Sequence, residues 1–393
     1  MRHSILRARM LVLALLLMLS CFAAACDSGN GNSGSETSSE QEDTETAVHS
    51  DAGTSAEVND STVEDKTNRR IKIGFSMDGL QEERWQRDRD MFKEAAEALG
   101  AEVVVMAANG DDAKQISQAE TMISQGVDIL VIVPHNADAT AAIVQKAHAS
   151  GIKVLAYDRL VKNSEIDLYV SFDNEQVGEL QAKAIARLVP KGKYVYIGGA
   201  DTDNNAHMFK KGVFNVLQPL IDRGDITIVY DQWSKDWTPA NALANMKAAL
   251  SANGNNIDAV IAANDGTAGG VVQALGLQGL AGKIPVAGQD GDLAAAQRIV
   301  EGTQVMTVYK PIKLLAEKAA ELAFKLARGE PSGADRKVNN GKIEVPSVLL
   351  SPIAVDRFNI DDTIIADGFH SREDVYRNVK VQKETDEKAD TER

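Results

Sequence analysis

Short apolar runs alternate with amphipathic segments along the chain from Ile71 onward. The runs IKIGFSM, AEVVVMA, DILVIVP and KVLAYD are rich in β-branched residues, and the segments between them have the 3.6-residue period of helices. Glycines close most of these helices, at Gly100, Gly126 and Gly151. Apolar strands separated by helices are typical of parallel sheets covered on both faces, so this part of the chain predicts a doubly wound α/β domain.

The same pattern starts again after the run LYVSFDN. Helical segments such as EQVGELQAKAIARLV alternate with the strand-like runs KYVYIGG, ITIVYDQW, DAVIAAN, IPVAGQD and QVMTVYK. The chain thus predicts about eleven βα units, which is more than one sheet usually holds. We therefore expect an α/β fold class with two doubly wound parallel-sheet lobes.

Ligands of such sheets bind at the carboxyl ends of the strands, so the residues just after each apolar run are the candidate site. Nearly all of them are carboxylates, amides, guanidinium groups or indoles. The candidates are Asp78, Arg84, Trp85, Asp158, Arg159, Asp203, Asn205, Trp237, Asn264, Asp265, Asp290 and Lys310. An Asp or Asn at such a junction can equally be a helix N-cap, but a cap does not need the tryptophans that accompany this set.

This combination of side chains suits a sugar. A pyranose offers several hydroxyls, each a donor and an acceptor, together with two faces of C–H bonds. A site for it needs bidentate Asp, Asn and Arg side chains around the ring, with aromatic rings above or below it. Trp85 and Trp237 would be those rings.

The first 26 residues have the form of a bacterial export signal. Arginines in MRHSILRARM precede the apolar run LVLALLLML, which is followed by CFAAAC. The small residues before Cys26 resemble a lipobox, whose cysteine would be lipidated and become the new N-terminus. An ordinary signal peptide cut near Ala25 and a membrane anchor are the alternatives, but the apolar run is much shorter than the ~20 residues of a spanning helix. We expect export and lipid anchoring to the outer face of the cell membrane.

Residues 27–70 are rich in Ser, Thr, Gly, Asp and Glu and poor in large apolar side chains. Such a segment buries too little surface to offset its ordering entropy, so it predicts a disordered acidic tether. The formal net charge of −15 argues against nucleic-acid binding. Both cysteines, Cys21 and Cys26, lie in the export segment, and the histidines lack zinc-site spacing. We expect no metal and no cofactor in the mature fold.

Several longer stretches resemble one known family. EERWQRDRD, VDILVIVPHN, GIKVLAYDRL, SFDNEQVGELQAKA, DQW, IDAVIAANDGTAGG, GQDGDLA, GTQVMTVYKPI and DGFH are similar to the periplasmic sugar-binding family of bacterial ABC importers, which includes ribose and galactose binders. The resemblance covers roughly residues 71–370. Within the family, the motifs ERW and AYDR favour the D-xylose subgroup.

The resemblance implies a type I periplasmic binding protein fold, in which two lobes joined by three chain crossings close over a sugar. It assigns residues 71–175 and 311–336 to the N-terminal lobe, 176–310 and 337–370 to the C-terminal lobe, and 371–393 to a charged tail. It also implies that ten of the candidate residues, all except Asp78 and Asp265, contact the sugar, with Arg84 holding a hydroxyl. We expect a monomer that delivers D-xylose to an ABC permease, without enzymatic activity and without catalytic residues.

Three other functions stay open from the residues alone. Asp158, Asp203 and Asp290 could supply the carboxylate pair of a glycosidase, although neighbouring Arg and Asn side chains would keep them ionised. Repressors of the lactose class share a two-lobed core, but they carry a helix-turn-helix where this chain has a signal and an acidic tether. A sensor that presents bound sugar to a membrane receptor would use the same site.

Overall fold

A computed structural model of the chain describes residues 69–379, and two β-sheets organise them. The strands are β1 (Lys72–Met77), β2 (Glu102–Ala107), β3 (Ile129–Ile132), β4 (Lys153–Tyr157), β5 (Leu168–Phe172), β6 (Gly192–Gly198), β7 (Ile226–Trp233), β8 (Ala259–Ala262), β9 (Val286–Gln289), β10 (Met306–Tyr309), β11 (Arg336–Asn339), β12 (Glu344–Leu350) and β13 (Ile353–Asp356). The α-helices are α1 (Glu83–Ala98), α2 (Asp112–Ser124), α3 (Ala141–Ala149), α4 (Asn174–Leu188), α5 (Asn204–Asp222), α6 (Pro239–Ala252), α7 (Asp265–Gly276), α8 (Leu293–Glu301), α9 (Ile312–Ala327) and α10 (Arg372–Val375). A 3-10 turn covers Lys235–Trp237, and a short π-helix covers Asp361–Ile365.

Each sheet forms the centre of one lobe. The sheet of the first lobe has the strand order β11-β12-β5-β4-β3-β1-β2, and the sheet of the second lobe has the order β13-β10-β9-β8-β6-β7. Strands pair in parallel except for β11 with β12 and β10 with β13. The predicted architecture of two doubly wound α/β lobes is confirmed.

The apolar strands are buried from both sides. In β3, Ile129 and Val131 pack into one hydrophobic cluster of the first lobe, while Leu130 and Ile132 pack into the other. All four side chains are fully buried. Successive side chains of a strand point to opposite faces of the sheet, so a strand covered by helices on both faces needs a continuous apolar run.

The chain passes between the lobes three times: after β5, after β10, and between β12 and β13. β12 runs parallel to β5 in the first lobe, with Val348 opposite Val170. The expectation that residues 337–370 belong to the second lobe is therefore wrong for residues 337–350. β12 stays in the first lobe because it takes up the hydrogen-bonding edge of β5, and the last crossing follows only after Leu350.

The first part of the predicted tail packs on the second lobe. Helix α10 lies against α8, and Val375 is fully buried in a cluster with Ile299 and Ile364. The expectation of a separate charged tail is therefore wrong for residues 371–379, because this apolar anchor holds them on the lobe. The remainder of the tail, the export segment with Cys26 and almost all of the acidic tether lie outside the described residues.

Two glycines allow α4 and α5 to pack with their backbones in contact. A Cβ at Gly178 would lie 1.9 Å from the carbonyl oxygen of Phe209, and a Cβ at Gly212 would lie 1.9 Å from that of Glu175. Only glycine fits at either position. This packing fixes the beginning of both helices, and the first residue of α4 donates a hydrogen bond to Asn205 at the beginning of α5. The glycines thus help to position a candidate site residue.

Candidate functional site

A small cavity lies between the lobes, at the carboxyl ends of the strands. It encloses about 250 Å³ of empty space, including its opening to solvent. The ten residues that the family resemblance predicts as sugar contacts all line this cavity: Arg84, Trp85, Asp158, Arg159, Asp203, Asn205, Trp237, Asn264, Asp290 and Lys310. The other two strand-end candidates, Asp78 and Asp265, do not line it. Glu82, Phe209 and Gln289 line it as well and were not predicted.

Arg84 lies in the first turn of α1 and is almost completely buried. Its guanidinium donates hydrogen bonds to Asp158 Oδ2 at 3.0 Å and to Asp88 Oδ2 at 3.2 Å. It also reaches across the cavity to Asp290 Oδ1 at 3.2 Å. Lys310, directly after β10, approaches the same Asp290 oxygen at 3.0 Å. A cation from each lobe therefore converges on Asp290.

Asp158 and Asp290 occupy matching positions, each directly after a strand of its own lobe. Both have a positive φ, 60° at Asp158 and 104° at Asp290. Such a backbone costs a non-glycine residue about 1–3 kcal/mol, and it is often found at functional sites. A bond to the neighbouring strand holds each turn, from Asp158 N to Val170 O at 2.8 Å and from Asp290 N to Val308 O at 2.9 Å. The two turns place both carboxylates in the cavity wall.

The backbone carbonyl of Asp158 joins the two lobes. It accepts hydrogen bonds from Ser171 Oγ at 2.6 Å and Tyr169 OH at 2.9 Å, both in the first lobe. From the second lobe, Asn205 Nδ2 donates to this carbonyl at 3.0 Å and to Asp158 Oδ1 at 3.2 Å. Because Asn205 belongs to α5, these last two bonds form only when the lobes meet.

A third interlobe contact joins Arg159 to Asp203. Arg159 Nε lies 2.8 Å from Asp203 Oδ2, and its Nη1 donates to Asp78 Oδ2 at 2.7 Å within the first lobe. Asp203 also caps α5, since its Oδ1 accepts from the backbone amide of Asn205 at 2.9 Å. Asp203 Oδ2 accepts in addition from Trp237 Nε1 at 3.1 Å. Asp203 is therefore both a helix N-cap and part of the cavity wall.

The beginning of α7 supports the wall of the second lobe. Asn264 caps this helix, with Oδ1 accepting from Thr267 N at 2.9 Å, which leaves the side-chain amide NH₂ as its donor group. The next residue, Asp265, is buried and accepts from the amides of Gly291 at 2.9 Å and Asp292 at 3.1 Å. Asp265 thereby holds the turn that carries Asp290.

Aromatic rings form the apolar part of the wall. The guanidinium carbon of Arg84 lies 4.3 Å from the ring centroid of Trp85, within the range of cation–π attraction. Trp237 meets Phe209 edge-on, with ring centroids 6.3 Å apart. A Cβ at Gly199 would lie 2.1 Å from the Trp237 ring, so the ring fits only beside a glycine. Each indole packs against the core of its own lobe and also lines the shared cavity.

Two polar atoms of cavity-lining residues are buried without a hydrogen-bond partner among residues 69–379. They are Nε1 of Trp85, a donor, and Oε1 of Gln289, an acceptor. Buried polar atoms are nearly always hydrogen-bonded in proteins. A ligand that carries hydroxyl groups offers both the acceptor and the donor that these two atoms lack.

Two opposing effects set the pKa values of the carboxyl groups in the cavity: burial raises them, and nearby cations lower them. Burial would raise the pKa of Asp158, but Arg84, Lys310 and Arg159 outweigh it and hold that pKa below its ordinary value. At Asp203 the effect of burial is larger than that of the Arg159 cation, so the pKa of Asp203 is raised. Burial likewise raises the pKa of Glu82, to about 7.

Sequence reasoning missed three lining residues, and local signals exist for two of them. Gln289 directly precedes Asp290 at the end of β9, and Glu82 lies two residues before Arg84 at the beginning of α1. Phe209 is inside α5, one helical turn after Asn205. The sequence signal for it is that residues four positions apart share a helix face, which places Phe209 on the same face as Asn205. No group of three or more His, Cys, Asp or Glu side chains within the described part of the chain is arranged to hold a metal.

Comparison with known proteins identifies the family. The model of the periplasmic binding protein domain matches residues 73–331. The chain belongs to the periplasmic binding protein family. Its relatives include the D-xylose-binding periplasmic protein of Haemophilus influenzae, which is 55% identical over 306 residues, 78% of this chain and 92% of that protein. The Escherichia coli protein of the same name is 54% identical over 305 residues, again 78% and 92% of the two chains.

Solved structures of this periplasmic binding protein family have the same fold. A carbohydrate transporter solute-binding protein from Chloroflexus aurantiacus, in complex with D-glucose, superposes with a TM-score of 0.72 at 30% identity. The match covers 78% of this chain and 98% of that one. The part shared with these relatives therefore contains both lobes and the cavity between them.

Proposed function

We propose that this protein is the substrate-binding component of an ABC sugar importer, which binds D-xylose between its lobes and delivers it to a membrane permease. The observation that carries the proposal is the cavity itself. Ten polar and aromatic side chains from both lobes meet around about 250 Å³ of space. The relatives that are more than half identical over most of the chain are D-xylose-binding periplasmic proteins.

The interlobe contacts suit closure driven by a sugar. Arg84 with Asp290, Arg159 with Asp203, and Asn205 with Asp158 all join one lobe to the other at the cavity. A ligand stabilises the closed form only if it contacts that form better than the open one. A sugar held between these groups meets both lobes only in the closed form. The sugar therefore favours the conformation that a permease would receive.

The size of the cavity favours a single small sugar. The 250 Å³ of empty space includes the opening to solvent, so the room that the lining residues enclose is smaller still. A hexose adds an exocyclic hydroxymethyl group to the ring that a pentopyranose lacks. We therefore expect D-xylose to fit better than D-glucose, and the wall to offer hydrogen bonds to its hydroxyls. The protein would release its ligand unchanged.

Titration calorimetry with D-xylose, D-ribose, L-arabinose and D-glucose tests the proposal. We expect a dissociation constant for D-xylose in the micromolar range, about −8 kcal/mol, and weaker binding of the other sugars. Chromatography of the recovered sugar should return only D-xylose. Tighter binding of D-glucose, no binding of any of the four sugars, or a chemically altered sugar would each contradict the proposal.

We further propose that the exported protein is a monomer anchored to the outer face of the membrane through a lipid on Cys26. No helix within residues 69–379 is both long and apolar enough to cross a bilayer. The support for the anchor is the lipobox-like CFAAAC segment. Growth with a labelled fatty acid should label the wild-type protein in the membrane fraction and leave Cys26→Ser unlabelled. Equal labelling of both would contradict the anchor.

A further inference from the structure

A further interlobe contact lies outside the cavity. Arg87, on α1 of the first lobe, donates from Nη1 to the carbonyl oxygen of Phe369 at 2.5 Å. The Arg87 guanidinium carbon lies 4.5 Å from the centroid of the Phe369 ring. Phe369 and His370 follow the π-helix and pack with the second lobe, where the Phe369 ring lies 5.1 Å from that of Tyr309. Arg87 thus reaches the other lobe without lining the cavity.

The orientation of His370 gives this contact a defined protonation state. His370 Nε2 lies 2.7 Å from the carbonyl oxygen of Gly291, which can only accept, so Nε2 carries a hydrogen. The other ring nitrogen, Nδ1, lies 3.4 Å from Arg87 Nη2, which can only donate. The His370 residue is 5% exposed. The geometry therefore favours a neutral imidazole, because a proton on Nδ1 would face the guanidinium.

Both sides of the contact are built on elements that also carry cavity residues. Arg87 lies one helical turn after Arg84 on α1. Gly291, which holds His370, directly follows Asp290. Separation of Arg87 from His370 therefore accompanies separation of Arg84 from Asp290, and the two contacts form and break together.

We propose that Arg87 is a positioning residue that stabilises the closed form, and that its contact with the second lobe forms only while His370 is neutral. The inference rests on the sugar-driven closure proposed above. It adds a contact outside the cavity on which sugar affinity depends. It also makes that affinity sensitive to acid.

The charged groups around His370 come from every element packed against it. Arg87 and Glu83 lie on α1, and Arg87 Nη2 also donates to Glu83 Oε1 at 2.8 Å. Asp374 lies on α10, and the Gly291 carbonyl is flanked in sequence by Asp290 and Asp292. Burial lowers the pKa of His370 and Arg87 acts in the same direction, outweighing the opposing effects of the Gly291 carbonyl, Glu83 and Asp374.

The sign of the acid effect follows from this lowered pKa. In the open form Arg87 withdraws, so the pKa of His370 returns toward its ordinary value near 6.5. The closed form then binds a proton less readily than the open form, and acid favours opening. The contribution of this contact to sugar affinity is complete above about pH 6.5 and declines as the pH falls below it.

Substitution of Arg87 tests the contact. We expect Arg87→Ala to weaken D-xylose binding about tenfold in calorimetry at neutral pH and to speed sugar release in stopped-flow experiments. The sugar-free protein should keep its melting temperature, because the contact exists only in the closed form. Arg89→Ala is the matched control, since Arg89 lies on the same helix and, among residues 69–379, forms its ion pair with its neighbour Asp90. We expect it to bind as the wild type does.

The acid dependence is measured as the difference between the wild type and His370→Gln from about pH 5 to about pH 8. The difference is needed because Glu82 titrates in the same range. As the pH is lowered, the D-xylose affinity of the wild type should fall more than that of His370→Gln. Wild-type affinity and pH profile in Arg87→Ala would overturn the inference, as would an equal loss of stability in its sugar-free form. Failure of the wild type to bind any pentose would instead overturn the proposed function.

Discussion

Replacement of Asp290 by Asn removes one charge from the cavity with little change in shape. Asp290 Oδ1 accepts from Arg84 Nη1 at 3.2 Å and forms an ion pair with Lys310 Nζ at 3.0 Å. The side chain is 5% exposed and its backbone has a φ of 104°. Asn is among the residues that tolerate a positive φ best, so the turn should persist in the variant.

The expected loss of affinity follows from which contact depends on closure. Lys310 directly follows β10 of the same lobe as Asp290, so this pair is present in open and closed forms. The contact with Arg84 crosses between lobes and exists only in the closed form. A hydrogen bond to a charged group contributes about 1.5–3 kcal/mol. We expect Asp290→Asn to weaken D-xylose binding by about 2 kcal/mol, which is about 30-fold.

Titration calorimetry measures this loss, and thermal unfolding of the sugar-free protein checks the fold. Asp231→Asn is the matched control, because Asp231 lies in the same lobe and pairs with Lys210 at 2.7 Å but does not line the cavity. The control should bind as the wild type does. Wild-type affinity in Asp290→Asn would refute the reasoning. So would a fall in sugar-free stability as large as the loss of binding energy.

Three further predictions concern the aromatic wall, the helix packing and the pH response. Trp85→Leu keeps an apolar side chain against the core but removes the ring, and calorimetry should show about tenfold weaker D-xylose binding. Gly178→Ala places a Cβ 1.9 Å from the Phe209 carbonyl oxygen and should lower the free energy of unfolding in urea by about 1–3 kcal/mol, whereas Gly276→Ala, with open space around it, should not. In the closed form the pKa of Glu82 is raised to about 7, above the ordinary pKa of a glutamate. Ionisation of Glu82 should therefore weaken binding as the pH rises from that ordinary pKa toward 7. Glu82→Gln should remove this dependence of D-xylose affinity on pH. An unchanged pH dependence in the variant would contradict the prediction.

The fold was predictable where the signal is local. Continuous apolar runs such as that of β3 identify buried parallel strands, because both faces of the strand are covered. The lobe to which β12 belongs was not predictable in this way. Its pairing with β5, where Val348 meets Val170, joins segments far apart in sequence. The buried Val375 of the tail was missed for the same reason, since its partners Ile299 and Ile364 lie in other elements.

The candidate site was predictable because parallel sheets bring strand ends together. Asp158 and Asp290 follow apolar runs in different halves of the chain, and Arg84 bonds to both carboxylates. The direction of a helix face is harder to infer, so Phe209 was missed although Asn205 on the same helix was found. The contact that Arg87 makes outside the cavity was not predictable from the sequence, because it depends on how the two lobes meet.

A crystal structure of the protein grown with D-xylose tests the central claim most directly. The claim predicts one pentopyranose in the cavity, with a ring face against Trp85 or Trp237 and hydroxyls within hydrogen-bond distance of Asp158 and Asp290. It predicts further that the lobes separate in crystals of the sugar-free protein. A sugar bound elsewhere, or a cavity that stays empty at saturating D-xylose, would contradict it.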